Sequence, residues 1–436
     1  MSKTADAIVI GAGVIGCAVA FELGKRGYKT VSVDKLPAAG FGSTSNSCAI
    51  IRFHYSTRDG VAMAYENYFY WKDWEQYVGP VDERGYSKFI ECGATIIRLA
   101  EKESQKNYLT HFDEFGIKYE VWDVATMQQK LPLYDGHSHW PPRSLEDEAF
   151  WNDPTQPLMG AIFTPQAGYI NDPQLSTYNL MLAAKSVGGE FLFNEEVTEI
   201  RQQNGRVAGV TLKSGETIDA PVVVNVAGPH SFIINRLAGV EAGMNITTRA
   251  LRHEVHHVPS PAEFNFEANG AVTTDSSCGI YFRPESGNHI LVGSEDPECD
   301  ERDWVDDPDA YNTSLTDRLW KRQVYRLAKR IPELPIPQTP SGVVDLYDVS
   351  DDWIPIYDKS ELPGFYMAVG TSGNQFKNAG GVGHMLAEMI QAEENGHDLD
   401  ADPLQVTMPY TGLTLNSGFY SRLREINRSS SFSVLG

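Results

Sequence analysis

Cysteine is scarce. The 436-residue chain has five, at positions 17, 48, 92, 278 and 299, and no two form a CxxC pair. A zinc ribbon is therefore unsupported, and the sparse, odd count fits reduced thiols in a cytoplasm. Basic charge is also short: 36 Lys and Arg stand against 58 Asp and Glu, a net charge of -22. Such a surface repels phosphate backbones and anionic bilayers, so neither nucleic acid nor membrane is an expected partner. A small anionic ligand stays possible, because a local basic pocket overrides the global field. No uninterrupted apolar run is long enough to span a bilayer. Met1 to Asp6 lead straight into a strand-like run with no signal-peptide pattern. Internal repeats and low-complexity tracts are absent too.

What is present is ordinary globular composition, with 42% apolar and 22% charged residues. The length suggests two domains, or one large α/β unit with an insertion. Ala7 to Ile10 read as a strand buried on both faces. A glycine cluster and a helical pattern to Gly27 follow, and Thr30 to Val33 form a second strand ending at Asp34. This opens a βαβ unit with parallel strands. Val61 to Gly116 read as mostly helical and aromatic-rich. Pro141 to Pro157 form a break, and Gln174 to Val187 a helix stopped by Gly188 and Gly189. Phe191–Phe193, Val197–Arg201, Val207–Leu212 and Pro221–Val226 read as strands. Ala250 to Val292 are strand-like, Tyr311 to Lys329 helical, and Val343 to Ala392 run strand, glycine loop, helix.

Residues 11–16 read Gly11-Ala12-Gly13-Val14-Ile15-Gly16, a G-x-G-x-x-G after a strand and before a helix. Gly11 permits the tight turn, Gly13 lets backbone approach a pyrophosphate, and Gly16 lets helix and strand pack closely. The helix N-terminus offers free N–H groups to phosphates. Asp34 falls where an acid reaches ribose hydroxyls, which disfavours a 2′-phosphate. A bare glycine turn is the alternative, but strand, helix and terminal acid together favour dinucleotide binding. The fingerprint alone does not separate FAD from NAD.

Two further segments do. Residues 42–56 run from Gly42-Ser43-Thr44-Ser45-Asn46-Ser47-Cys48-Ala49 through Arg52 to Ser56, and residues 370–383 from Gly370 through Gly373-Asn374-Gln375-Phe376-Lys377 to Gly383. With the fingerprint, they resemble the D-amino acid oxidase superfamily of flavoproteins, in the sarcosine oxidase and dimethylglycine dehydrogenase branch. Val222 to Pro229 are similar to the strand and turn that close over the FAD adenosine, and Gly279 to Pro284 to a strand that floors the substrate pocket. The resemblance implies an α/β (α+β) fold, a Rossmann-like FAD-binding domain interleaved with a β-rich substrate-binding domain. The FAD part would take 1–88, 150–230 and 340–400, the substrate part 89–149 and 231–339, and 401–436 would be an extension. It implies FAD contacts from Gly11, Gly13, Val14, Ile15, Gly16, Asp34, Lys35, Ser43, Thr44, Ser45, Ser47, Cys48, Ala49, Val197, Ala227, Gly228, Gly373, Asn374, Gln375, Phe376 and Lys377. The glycines of 370–383 would let backbone approach the flavin ring, with the following helix N-terminus stabilising charge there.

Arg52 follows Ala49-Ile50-Ile51, so its stem is expected to be partly buried, and a buried guanidinium needs an anionic partner. The resemblance places it on the substrate carboxylate, with Lys377 as a second cation and Tyr281 and Tyr347 as pocket tyrosines. A protein acid is the rival partner for Arg52. His54 is read as structural. Asp345 stands where some sarcosine oxidases carry the cysteine that attaches FAD, and no cysteine lies nearby in sequence, so noncovalent FAD is expected. Leu291 stands where monomeric enzymes place a flavin-facing lysine, which leaves oxygen or another acceptor open, with an oxidase favoured over a dehydrogenase. The expected substrate is a small carboxylate-bearing amine: sarcosine, dimethylglycine or an iminodiacetate-like diacid. A D-amino acid or glycine oxidase or dehydrogenase of the same superfamily is the nearer alternative.

His253-Glu254-Val255-His256-His257 matches H-E-x-x-H, but Pro259 and Pro261 cut short any helix that zinc binding requires. No metal site is expected. A noncatalytic flavin-binding module is the remaining rival; it would bind FAD and never bleach with an amine.

Overall fold

The computed structural model describes residues 3–100 and 105–436, so Met1 and Ser2 lie outside it. Two sheets organise the chain. The first has six strands in the order Glu190–Phe193, Thr30–Asp34, Ala7–Ile10, Val222–Asn225, Phe365–Val369, Ile356–Lys359. Its first five strands are parallel and the last is antiparallel. The uninterrupted apolar runs explain this: Ala7–Ile10 and Val222–Asn225 are buried at every position, as strands covered on both faces must be. Helices Val14–Lys25, Pro173–Ser186 and Ala379–Glu394 cover one face. Asp172 caps the second, accepting from Leu175 N at 2.8 Å, with Pro173 in the first turn.

The second sheet has nine strands and is mostly antiparallel. Its long strand Thr248–Pro259 pairs with Gly342–Ser350 on one side and with His289–Ser294 on the other. The sheet continues through Ile280–Glu285 and Val272–Asp275 to Ala94–Arg98 and Gly160–Thr164. Helix Asp317–Arg330 packs on it, in one core with Phe282, Ile290 and Val292.

Three expectations need correction. Val61–Gly116 is helical only at Arg58–Lys72, Trp74–Val78 and Gln105–Phe115; between them lie strands Phe89–Ile90 and Ala94–Arg98, and residues 101–104 of that stretch lie outside the described residues. Ala94–Arg98 has the apolar run of a central strand, which periodicity alone does not distinguish from a buried helix. The helix expected from Tyr311 starts at Asp317, where Thr316 supplies the cap by accepting from Leu319 N. Ala250–Val292 includes a short helix, Phe266–Asn269. Among the described residues, no helix is long and apolar enough to cross a membrane.

Candidate functional site

A cavity of about 580 Å³ lies between the two sheets, within the range of ligand pockets. At one end is the fingerprint. Gly11 has φ +112°, and a Cβ there would lie 2.4 Å from Val226 O; a Cβ on Gly16 would lie 2.0 Å from Gly11 O. Both glycines are thus required by chain packing. Gly13 differs: its added Cβ would meet only Thr44 Oγ1, at 3.1 Å, and Gly13 faces the cavity. Its missing side chain leaves open a cradle at the helix start, where the first N–H groups lack intrahelical partners. Asp34 accepts from Ala12 N at 2.7 Å and Leu36 N at 2.8 Å, which pins the glycine turn to the second strand. Burial raises its pKa. Lys35 bonds Asp309 and, at 2.8 Å, His230 across the cavity mouth.

The segment 42–52 forms the next wall. Thr44 Oγ1 accepts from Val14 N at 3.2 Å, and Ser43 Oγ donates to Asp345 at 2.9 Å. Ala49 takes φ 49°, unusual for a residue with a side chain. Ser43, Thr44, Ser47, Cys48, Ala49, Val197, Ala227 and Gly228 all line the cavity. Ser45 does not; its hydroxyl donates back to Gly42 O at 3.0 Å, a turn contact.

At the other end Arg52 and Lys377 stand together, 5% and 3% exposed. Arg52 donates to His54 O and, at 2.9 Å, to Val434 O, and its guanidinium lies 4.7 Å from the Tyr55 ring centre. Lys377 Nζ donates to Tyr55 Oη at 2.8 Å and Asn374 O at 2.7 Å. Among the described residues, no carboxylate pairs with either cation, although other buried arginines such as Arg326 and Arg330 each hold an aspartate. Burial, and then the Arg52 charge, hold Lys377 well below the usual lysine range. His54 is buried, its Nε2 2.9 Å from Thr274 Oγ1; burial, then Arg52 and Lys377, push its pKa well down.

Tyr281 and Tyr347 meet here, their hydroxyls 3.3 Å apart, with Cys48 Sγ 3.3 Å from Tyr281 Oη. Burial raises the pKa of all three, which keeps them neutral donors at pH 7. Cys48 brings a thiol to this wall although no cysteine stands near Asp345 in sequence. Behind Tyr347, His253 stacks at 4.0 Å and pairs with Asp296 at 3.0 Å.

The H-E-x-x-H run is strand, not helix. Glu254 is bound to Arg252, His256 and Thr316, and no group able to hold a metal occurs among the described residues. In a strand His253 and Glu254 project to opposite faces, so the run does not form the helical zinc motif. Of the glycines in 370–383, three serve helix packing instead. Added Cβ atoms would lie 2.5 Å from Tyr70 at Gly380, 2.5 Å from Asn67 at Gly381 and 2.8 Å from Ala18 O at Gly383. These glycines let the last helix pack against two others. Gly373, Asn374, Gln375, Phe376 and Lys377 do line the cavity.

Sequence reasoning missed Asp348, His230, Thr274, Val434 and Leu435, which also line it. Asp348 accepts from Gly370 N at 2.6 Å and Ser231 Oγ at 3.0 Å, tying the two loops together, and burial pushes its pKa up to about 7. An aspartate in the valine-rich stretch Val343–Val349 was a detectable signal; the others depend on long-range packing.

A parallel sheet with a glycine-turn helix, joined to an antiparallel sheet across a cavity that holds Arg52 and Lys377 at its far end, defines a dinucleotide-binding enzyme class. The chain belongs to the DAO family of FAD dependent oxidoreductases, which matches residues 6–389. It is 25% identical to sarcosine oxidase subunit beta of Rhodobacter capsulatus over 398 residues, covering 89% of this chain and 85% of that protein. It is 23% identical to human mitochondrial sarcosine dehydrogenase over 92% of this chain, and spans 41% of that longer protein. L-proline dehydrogenase from P. horikoshii has the same fold, with a TM-score of 0.75 at 21% identity, covering 97% of this chain and 98% of that one. The cavity suits FAD: the Gly13 cradle, the Asp34 turn and the 42–49 wall lie along one continuous space.

Proposed function

We propose that this chain oxidises the C–N bond of a small secondary or tertiary amino acid, an N-substituted glycine such as sarcosine, dimethylglycine or iminodiacetate, to an imine (an iminium ion from a tertiary amine) that water hydrolyses. The observation that carries this reading is the buried pair Arg52 and Lys377, two cations without an acidic partner among the described residues, in the cavity that holds the fingerprint. Uncompensated buried charge is costly, so the pair calls for an anion from outside, and a carboxylate matches the planar fork of arginine. The named relatives act on sarcosine and proline, both secondary amino acids, which supports the same class here.

FAD, bound noncovalently, supplies the two-electron acceptor. Arg52 and Lys377 hold the carboxylate and so fix the amine-bearing carbon. A carboxylate beside Lys377 opposes the burial and the Arg52 charge that lower its pKa, and so favours its charged form. Tyr281, Tyr347 and Cys48 supply neutral hydrogen-bonding groups beside the reacting atoms. The protein thus contributes orientation and charge rather than a strong base. Oxygen or another acceptor then takes the electrons. The five unpaired cysteines support a cytoplasmic setting.

The test is anaerobic mixing with a panel of amines while flavin absorbance is followed. Sarcosine, dimethylglycine or iminodiacetate should bleach the flavin faster than glycine, D-alanine or an uncarboxylated methylamine. Bleaching by none of the panel would reduce the protein to a flavin-binding module.

A further inference from the structure

Residues 421–436 return across the molecule to the cavity. Two arginines fasten the run. Arg422 bonds Asp358 at 3.0 Å and Asp400 at 2.8 and 2.9 Å. Arg424 grips both oxygens of Asp352, at 2.8 and 3.0 Å. Beyond them Phe432 O accepts from Arg302 at 2.8 Å, Val434 O from Arg52 at 2.9 Å, and Gly436 O from Ser56 Oγ at 2.6 Å. Val434 is 6% exposed and packs in one cluster with Tyr281, Tyr347 and Trp353. Leu435 is 8% exposed, and both residues line the cavity.

We infer that Val434 and Leu435 are specificity-determining residues that limit the length of substrate carried by the carboxylate site. The inference rests on the reading of Arg52 given above. Two donors of Arg52 are fixed by the carbonyls of His54 and Val434, which sets the plane of the guanidinium before any ligand arrives. A carboxylate on the remaining donors has its next carbons beside the residue that bonds Arg52. That residue presents an isopropyl group, and its neighbour an isobutyl group. A short chain fits under this wall; each further methylene must displace packed side chains, which cost energy to move.

The test uses the FAD-loaded full chain and a ladder of unreactive carboxylates: acetate, propanoate, butanoate and hexanoate. Binding is read as a perturbation of flavin absorbance, without turnover. In the unaltered protein, affinity should fall along the ladder. Val434→Ala and Leu435→Ala both keep the backbone carbonyls, and each should raise hexanoate affinity relative to acetate roughly tenfold, the scale on which pockets discriminate methylenes. A chain ended after Arg428 keeps both anchoring arginines but loses the carbonyl on Arg52. It should bind acetate more weakly and show no length preference. If that shortened chain fails to fold, the two point variants decide alone. An unchanged ladder in both would overturn the inference while leaving the carboxylate site standing. A parent protein that binds no carboxylate would overturn both.

Discussion

Arg52 is where residue chemistry can be separated from structural role. It is buried, it has no acidic partner among the described residues, and its two hydrogen-bond acceptors are backbone carbonyls. Arg52→Lys keeps the charge and loses the fork. A charge-assisted contact is worth about 1.5–3 kcal/mol, so kcat/KM on sarcosine should fall by roughly one to two orders of magnitude. Arg52→Ala should fall further, with FAD content near normal. The loss should shrink for an amine lacking the carboxylate. Equal loss on both substrates, or loss of flavin, would make Arg52 a structural residue. The burial of Arg52 was legible from Ala49-Ile50-Ile51, and its freedom from acids was not, since 58 acidic residues left many possible partners. Ser45 is the opposite case: a serine in the right loop whose side chain turns back to Gly42.

Among the elements, the fingerprint helix makes the sharpest claim, because its glycines have different reasons to be glycine. Gly11→Ala puts a Cβ 2.4 Å from Val226 O at φ +112°, so the fold itself should weaken, by about 1–3 kcal/mol from backbone strain alone. At Gly13 an added Cβ meets only the Thr44 hydroxyl, at 3.1 Å, and the variant to test is Gly13→Val. That variant should fold, with circular dichroism like the parent, and purify without FAD. A folded Gly13→Val protein with full flavin would show that the cradle holds nothing. This strand–turn–helix was readable because its signals are local: an apolar run, glycines at fixed spacing, an acid at the next strand end. The glycines of 370–383 were readable as glycines only. The partners of Gly380, Gly381 and Gly383, which are Tyr70, Asn67 and Ala18, lie more than 300 residues away in sequence, so a flavin contact and a helix crossing look alike from sequence. Ala94–Arg98 was lost among helices for the same reason: a buried central strand carries no alternation to mark it.

Across the whole molecule, the cavity is built from segments that no local pattern connects. Residues near 11, 48, 228, 281, 347, 374 and 434 meet in one space between the two sheets, and the run beyond 421 had no sequence signature pointing there. A ligand filling such a space acts as a strut between the sheets, and any ligand bound only by the folded state stabilises it. At a free FAD concentration 100 times its Kd the gain is about 2.7 kcal/mol. Noncovalent FAD should therefore leave on acid precipitation and colour the supernatant yellow. Gentle removal at high salt should give a folded apoprotein of lower Tm, and added FAD should restore the Tm in a concentration-dependent way. Flavin that stays with the precipitated chain would refute noncovalent binding. The attachment point would then be sought at Cys48, the one cysteine lining the cavity among the described residues, and Cys48→Ser would release the cofactor. Asp345 argues for the first outcome: it stands in the cavity wall, holding Ser43 and Asn46 at 2.9 and 2.7 Å, and a carboxylate there organises the loop without offering a sulfur.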